Sequence, residues 1–178
     1  MIRTLLLASA LCGAPALAQH ATPYAGLQQR DIRALSPQQI EDLLAGRGMT
    51  LALPAELNGW PGPMHVLELA APLRLTAEQR RETEALMAAH RAEARRIGAE
   101  IVEEERGLDA AFRERRITAE DIAARTGRIG ALQAALRAEH LRTHLVQTAL
   151  LTPAQVTRYG ELRGYAGGAA APAHRHRH

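Results

Sequence analysis

Apolar residues recur along this chain at helical spacing, and nowhere do they alternate as in a strand. From Thr76 to about Arg115, Leu86, His90, Ile97, Ile101, Leu108 and Phe112 follow one another at intervals of four, seven, four, seven and four. That rhythm lays a narrow stripe of coiled-coil type along one face of a single helix. At 1.5 Å per residue such a helix is about 60 Å long. Arg115-Arg116-Ile117-Thr118 interrupts the stripe, and Thr118-Ala119-Glu120-Asp121 restarts a helix. A second arm, from Ala119 to about Leu150, carries Ile122, Ile129, Leu132, Leu136, Leu141 and Leu145. Two helices of similar length joined by a short break are expected to fold back antiparallel. The pattern predicts an all-α protein, an elongated helical hairpin with shorter helices on its flanks.

The flanks are legible from their punctuation. Residues 24–35 are polar with some helical character. Ser36-Pro37-Gln38-Gln39 is a start signal, and Ile40, Leu43 and Leu44 give one apolar face before Gly46 and Gly48 stop the helix. Residues 51–57 suit another short helical turn. Asn58-Gly59-Trp60-Pro61-Gly62-Pro63 is a turn cluster that no regular element crosses, with Trp60 expected as a packing anchor. Residues 64–69 suit a short helix ending near Pro72. After the hairpin, a helix is expected from Pro153 to about Arg163. Gly164, Gly167, Gly168 and an Ala/Pro run then open a flexible tail ending in His174-Arg175-His176-Arg177-His178.

One phrase occurs twice, as Leu75-Thr76-Ala77-Glu78-Gln79 and as Leu151-Thr152-Pro153-Ala154-Gln155. Each reads as a capping box. The threonine hydroxyl accepts from an early helical N–H, and the glutamine three residues on reaches back to the threonine's own N–H. Pro153 suits the first helical position, where its missing N–H costs nothing.

The amino terminus changes the compartment. Met1-Ile2-Arg3-Thr4 is short and basic, Leu5 to Ala14 is apolar, and Ala16-Leu17-Ala18 precedes Gln19 with a small-x-small pattern. Residues 1–18 are therefore expected to be a cleaved secretory signal peptide, with a periplasmic product. Leu11 is a poor neighbour for lipidation of the lone Cys12, and the mature chain has no thiol for disulfides, catalysis or metal. No other segment is long and apolar enough for a membrane span, so no stable insertion is expected. The organisation read from the sequence is signal peptide 1–18, an N-terminal extension 19–63, the hairpin domain 64–164 and a His/Arg tail 165–178.

Composition narrows the chemistry. All 22 basic residues are arginine, most of them among acids as on a solvated helix face, and the formal net charge is +3. The few aromatics, Tyr24, Trp60, Phe112, Tyr159 and Tyr165, make a poor platform for stacking bases, so no nucleic-acid partner is expected. Catalysis finds little support. His140-Leu141-Arg142-Thr143-His144 has leucine where a metalloprotease helix carries its glutamate, and Ser36 is better used as a cap.

Histidines remain. Folding the hairpin about residue 116 sets His90 opposite residues 141–144, where His140 and His144 project from one helical face. His90, His140 and His144, with His65, Met64 and Met87 as further donors, form a candidate site for a divalent transition metal: zinc, nickel, cobalt or copper. The competing arrangement gives the buried face to Leu141 and Leu145 and leaves His140 and His144 at its edge, with His90 a hydrogen-bonded seam residue. The tail histidines His174, His176 and His178 are a second, weaker candidate.

Two copies of Leu-Thr-x-x-Gln around a charged helical hairpin, behind an export signal, resemble the Spy/CpxP family of periplasmic proteins. The likeness covers residues 64–164. It implies a cradle-like antiparallel homodimer that holds unfolded or misfolded periplasmic proteins without ATP, or acts as an envelope-stress adaptor. Relatives that sense heavy metals imply the alternative, a metal sensor or buffer with a response regulator as partner. That role maps onto His90, His140 and His144 alone. The chain departs from those relatives in lacking a membrane anchor and a dense methionine cluster.

Overall fold

The computed structural model describes residues 24–165; the predicted signal peptide, Cys12, and tail residues His174, His176 and His178 lie outside the described residues. Within them the protein is all-helical. A 3-10 turn at Leu27–Gln29 leads into α1 (Pro37–Ala45), α2 (Leu53–Glu56), α3 (Pro63–Glu68), α4 (Ala77–Arg113), α5 (Ala119–Ala149) and α6 (Pro153–Leu162). No helix among the described residues is long and apolar enough to cross a membrane.

The helix starts are where local chemistry places them. Ser36, Thr76, Thr118 and Thr152 each accept from the N–H three residues on, and Gln39, Gln79, Asp121 and Gln155 reach back to the cap N–H. Such a cap is worth about 1 kcal/mol. Gly46 ends α1 in the left-handed conformation, φ 67°, where glycine has no Cβ penalty. The short helix before the hairpin, α3, stops at Glu68 rather than near Pro72. Leu69 to Arg74 wraps into turns instead, closed by the Leu73 N–H to the Leu69 carbonyl at 2.9 Å.

Arms α4 and α5 pack antiparallel. Thr83 meets Gln147, His90 meets Thr143, and Glu104 meets Arg128, so residue numbers rise on one arm as they fall on the other. The two Leu-Thr-x-x-Gln segments meet at the open end of this hairpin. Gln79 Nε2 donates to Gln155 Oε1 at 2.9 Å, and Gln155 Nε2 donates to Gln79 Oε1 at 3.0 Å. The same amides donate to the Leu150 and Leu73 carbonyls, satisfying backbone groups beside each other's helix. Leu151, with Leu75 against it, joins Val66, Leu73 and Tyr159 in a small core beneath this clasp.

The main core lies further along. Ile32, Leu43, Ala94, Ile97, Ile101, Val102 and Leu136 form one cluster where α1 crosses the hairpin. Gly98 makes that crossing close, since a Cβ there would stand 2.2 Å from the Leu43 carbonyl oxygen.

Several positions of the predicted stripe do not reach the core. Phe112 is 54% exposed and Leu145 50%, Ile122 is exposed, and Leu86, Leu108 and Leu141 are half-buried. On α5 the seam is Ile129, Leu136, His140, Thr143 and Gln147, at intervals of seven, four, three and four. Leu141 and Leu145 sit off that line, so the polar residues own the buried face. Trp60 is no packing anchor either. The residue is 41% exposed, and it is its carbonyl that meets α5, at His144 Nδ1.

Candidate metal centre

Where the arms run between clasp and core, they floor a cleft of about 650 Å³. Its walls are the loop after α1, the turn into α3 and the facing surfaces of α4 and α5. His65, His90, His140 and His144 all line it, together with Met49, Met64 and Met87.

His90 is buried on α4, and its Nδ1 lies 3.1 Å from Glu139 Oε1 and 3.0 Å from Thr143 Oγ1. The Thr143 hydroxyl donates to the Glu139 carbonyl at 2.9 Å. A carboxylate only accepts, so the proton between His90 and Glu139 sits on Nδ1, and the lone pair of the neutral ring is on Nε2. His144 repeats this logic with a backbone acceptor: its Nδ1 donates to the Trp60 carbonyl at 2.7 Å. His65 repeats it with Glu68 Oε2 at 2.8 Å. An oxygen acceptor behind Nδ1 is the usual outer support of a metal-binding histidine, since it fixes the tautomer and aims the other nitrogen.

His140 is different. It is 5% exposed, and its ring stands edge-on to His90 with centroids 4.5 Å apart. Its Nε2 is buried with no hydrogen-bond partner. Burial first, and then the neighbouring His90, push its pKa down to about 4, so the ring is neutral near pH 7.

The backbone is shaped around these rings. Gly62 lies flat against His144, where a Cβ would stand 2.7 Å from Cε1 and 2.8 Å from Nε2. Met49 and Thr50 both have positive φ, 41° and 66°, on the rim. For residues with a Cβ that conformation costs of order 1 kcal/mol each, and it collects at functional sites.

Glu56, 8% exposed, lies at one side of the cleft. Its Oε1 accepts from Tyr159 Oη at 2.6 Å and from Tyr165 Oη at 3.0 Å. Arg163 Nε is 3.3 Å from the same oxygen, without the alignment of a hydrogen bond. The other oxygen, Oε2, is buried without a hydrogen-bond partner and stands 3.9 Å from His144 Nδ1. Burial, with Glu56 second, raises the Tyr159 phenol far above its usual value.

The structure thus brings His90 and His140 into contact and sets His65, His144, Met64 and Met87 on the same cleft. Among the described residues no three His, Cys, Asp or Glu side chains stand close enough together to hold one ion. The motif residues Leu75, Thr76, Gln79, Leu151, Thr152 and Gln155 lie outside the cleft, in the caps and clasp. Sequence reasoning missed Met49 and Glu56. Met49 follows Gly46 and Gly48 in a stretch without helical period, and Glu56 is the one charged side chain between Arg47 and His65. A lone acid in an apolar turn is a signal that could have found it. None of the family models, curated proteins or solved structures compared with this chain matches it.

Proposed function

We propose that this chain is an exported transition-metal-binding protein, a sensor or buffer of the Spy/CpxP-like kind, using the histidines of its hairpin. One observation carries the reading. In the seam between the arms, His90 is held by Glu139 with its Nε2 lone pair available, beside a neutral His140 whose buried Nε2 has no partner. A buried nitrogen left without a hydrogen bond is costly, and a metal ion is the natural group to satisfy it. His144 and His65, braced in the same way, line the same cleft without converging on that pair. His90 and His140 would hold the ion, and Glu139 would keep His90 oriented.

The test is calorimetric titration with zinc, nickel, cobalt and copper of protein carrying alanine at His174, His176 and His178, so that tail binding does not contribute. Stoichiometric binding is expected, weakened more than about 100-fold by His140→Ala with His144→Ala. Tight binding unchanged in that variant would remove the site from the hairpin.

A second reading is favoured by the exposed apolar side chains Phe112, Ile122, Leu145 and Val146 on the two arms. In a homodimer of the cradle type these would hold unfolded periplasmic clients by weak apolar contacts. Suppression of client aggregation, lost in Leu145→Glu with Val146→Glu, is its signature.

A further inference from the structure

We infer that the ion this cleft selects is monovalent copper. The inference rests on the metal-binding reading above and concerns which metal the donors suit. The imidazoles alone do not assemble a full nitrogen and oxygen shell, because no three His, Cys, Asp or Glu side chains converge among the described residues. Zinc asks for four such donors in a tetrahedron, and nickel and cobalt are likewise served by nitrogen and oxygen. Cuprous copper is content with two or three donors, and it prefers soft ones.

The soft donors are present. Apart from Met1 the chain has three methionines, and all of them line this one cleft. They arrive from three separate places: Met49 from the loop after α1, Met64 from α3 and Met87 from α4. Methionine is ordinary in cores, but none of these three is buried, and Met64 is 48% exposed. Met49 packs in part against the main core, whereas Met64 and Met87 belong to neither core cluster, so packing does not account for the placement of those two. Met49 stands on a stretch of left-handed backbone that it shares with Thr50. Thioether sulfur is neutral and polarisable, and with imidazole it discriminates for cuprous copper over zinc and nickel.

Charge points the same way. Arg91 and Arg95 border the cleft without an ion-pair partner among the described residues, and Arg47 there is paired with Glu41 and Asp42. The nearby carboxylates are already engaged, Glu56 by Tyr159 and Tyr165 and Glu139 by His90. Positive charge at the rim repels a dication twice as strongly as a monocation at the same distance.

The deciding experiment is an anaerobic competition for cuprous copper against a chromophoric cuprous chelator, run on protein with alanine at the three tail histidines. Zinc, nickel and cobalt are titrated in parallel. The second variant carries Met49→Leu, Met64→Leu and Met87→Leu, changes that nearly conserve volume and are tolerated by packing. One cuprous ion per chain is expected, held at least about 100-fold more tightly than zinc, with sulfur in its X-ray absorption shell. The leucine variant should keep its helical circular dichroism and lose most of that preference. If a divalent ion binds through His140 while cuprous copper binds no better, the inference on metal identity falls and the metal-binding reading stands. Unchanged cuprous affinity in the folded leucine variant overturns the inference as well. If no ion binds, both fall together.

Discussion

The same two helices pack through two unlike stretches of seam. Around Ile97, Ile101 and Leu136 the contact is apolar and covered by Leu43 and Ile32. Two turns nearer the clasp it consists of Thr83, His90, His140, Thr143 and Gln147, all as deeply buried. The first stretch follows the rule that buried positions take hydrocarbon. The second follows it only in depth, since its residues must find partners or leave polar atoms stranded. Some do find them: Gln147 Nε2 donates to Thr83 Oγ1, and His90 is held by Glu139 and Thr143. Yet His140 Nε2 and Gln147 Oε1 remain without a partner. A hairpin optimised for stability would carry leucine there. The difference separates a polar stretch that leaves buried atoms without partners from an apolar stretch whose interlocking fixes the register of the arms.

The largest effect should come from the apolar side. Gly98→Val places side-chain atoms where the Leu43 carbonyl now sits, and overpacking of this kind costs about 3 kcal/mol. Chemical denaturation should show that loss, and proteolysis should show α1 released. Next is the clasp. Gln79→Ala or Gln155→Ala leaves the other amide without its cross-partner, an expected loss of about 2 kcal/mol each. The double variant should lose less than the sum, which a double-mutant cycle measures.

On the polar side the sign reverses. His90→Leu with His140→Leu removes a stranded nitrogen and leaves Glu139 at the half-buried edge of the seam. Metal-free stability should hold or rise by about 1 kcal/mol while metal binding is lost. A fall as large as that of Gly98→Val would erase the distinction between the two stretches. The remaining change is with pH. His140 has an unfolded pKa near 6.5 and a folded pKa of about 4, so its contribution is complete above 6.5. As pH falls through that window the unfolded chain takes up a proton that the folded chain refuses, and stability drains away. His140→Leu should flatten this part of the pH profile of the thermal midpoint.

These two stretches were unequally legible in the sequence. The caps at Ser36, Thr76, Thr118 and Thr152 could be read because both partners lie within four residues, and the α4 stripe through Ile97 and Ile101 because hydrocarbon repeats at seam spacing. Hydrophobic counting misassigned α5 beyond Leu136. It followed Leu141 and Leu145, while the burial went to His140, Thr143 and Gln147, which no apolar pattern can rank. That His90 faces the stretch of α5 around residues 141–144, near His140, followed from folding the hairpin at residue 116, a matter of register alone. Met49 and Glu56 escaped because loops bring them to the cleft. Loop paths are set by contacts such as Gly62 against His144, not by any periodicity. Likewise the pairing of Gln79 with Gln155 was invisible, since nothing local says that two identical caps will touch.

That pairing has a consequence for motion. Each glutamine gives its oxygen to its own helix start and its nitrogen to the other's, so a bond that is normally a neighbourly matter has been made to span the chain. Fraying at Thr76 withdraws a partner from Thr152, and the reverse is equally true. The amides of these two first turns, far apart in sequence, should therefore open and exchange with solvent as one unit, while the Arg115–Thr118 bend at the opposite end exchanges on its own schedule.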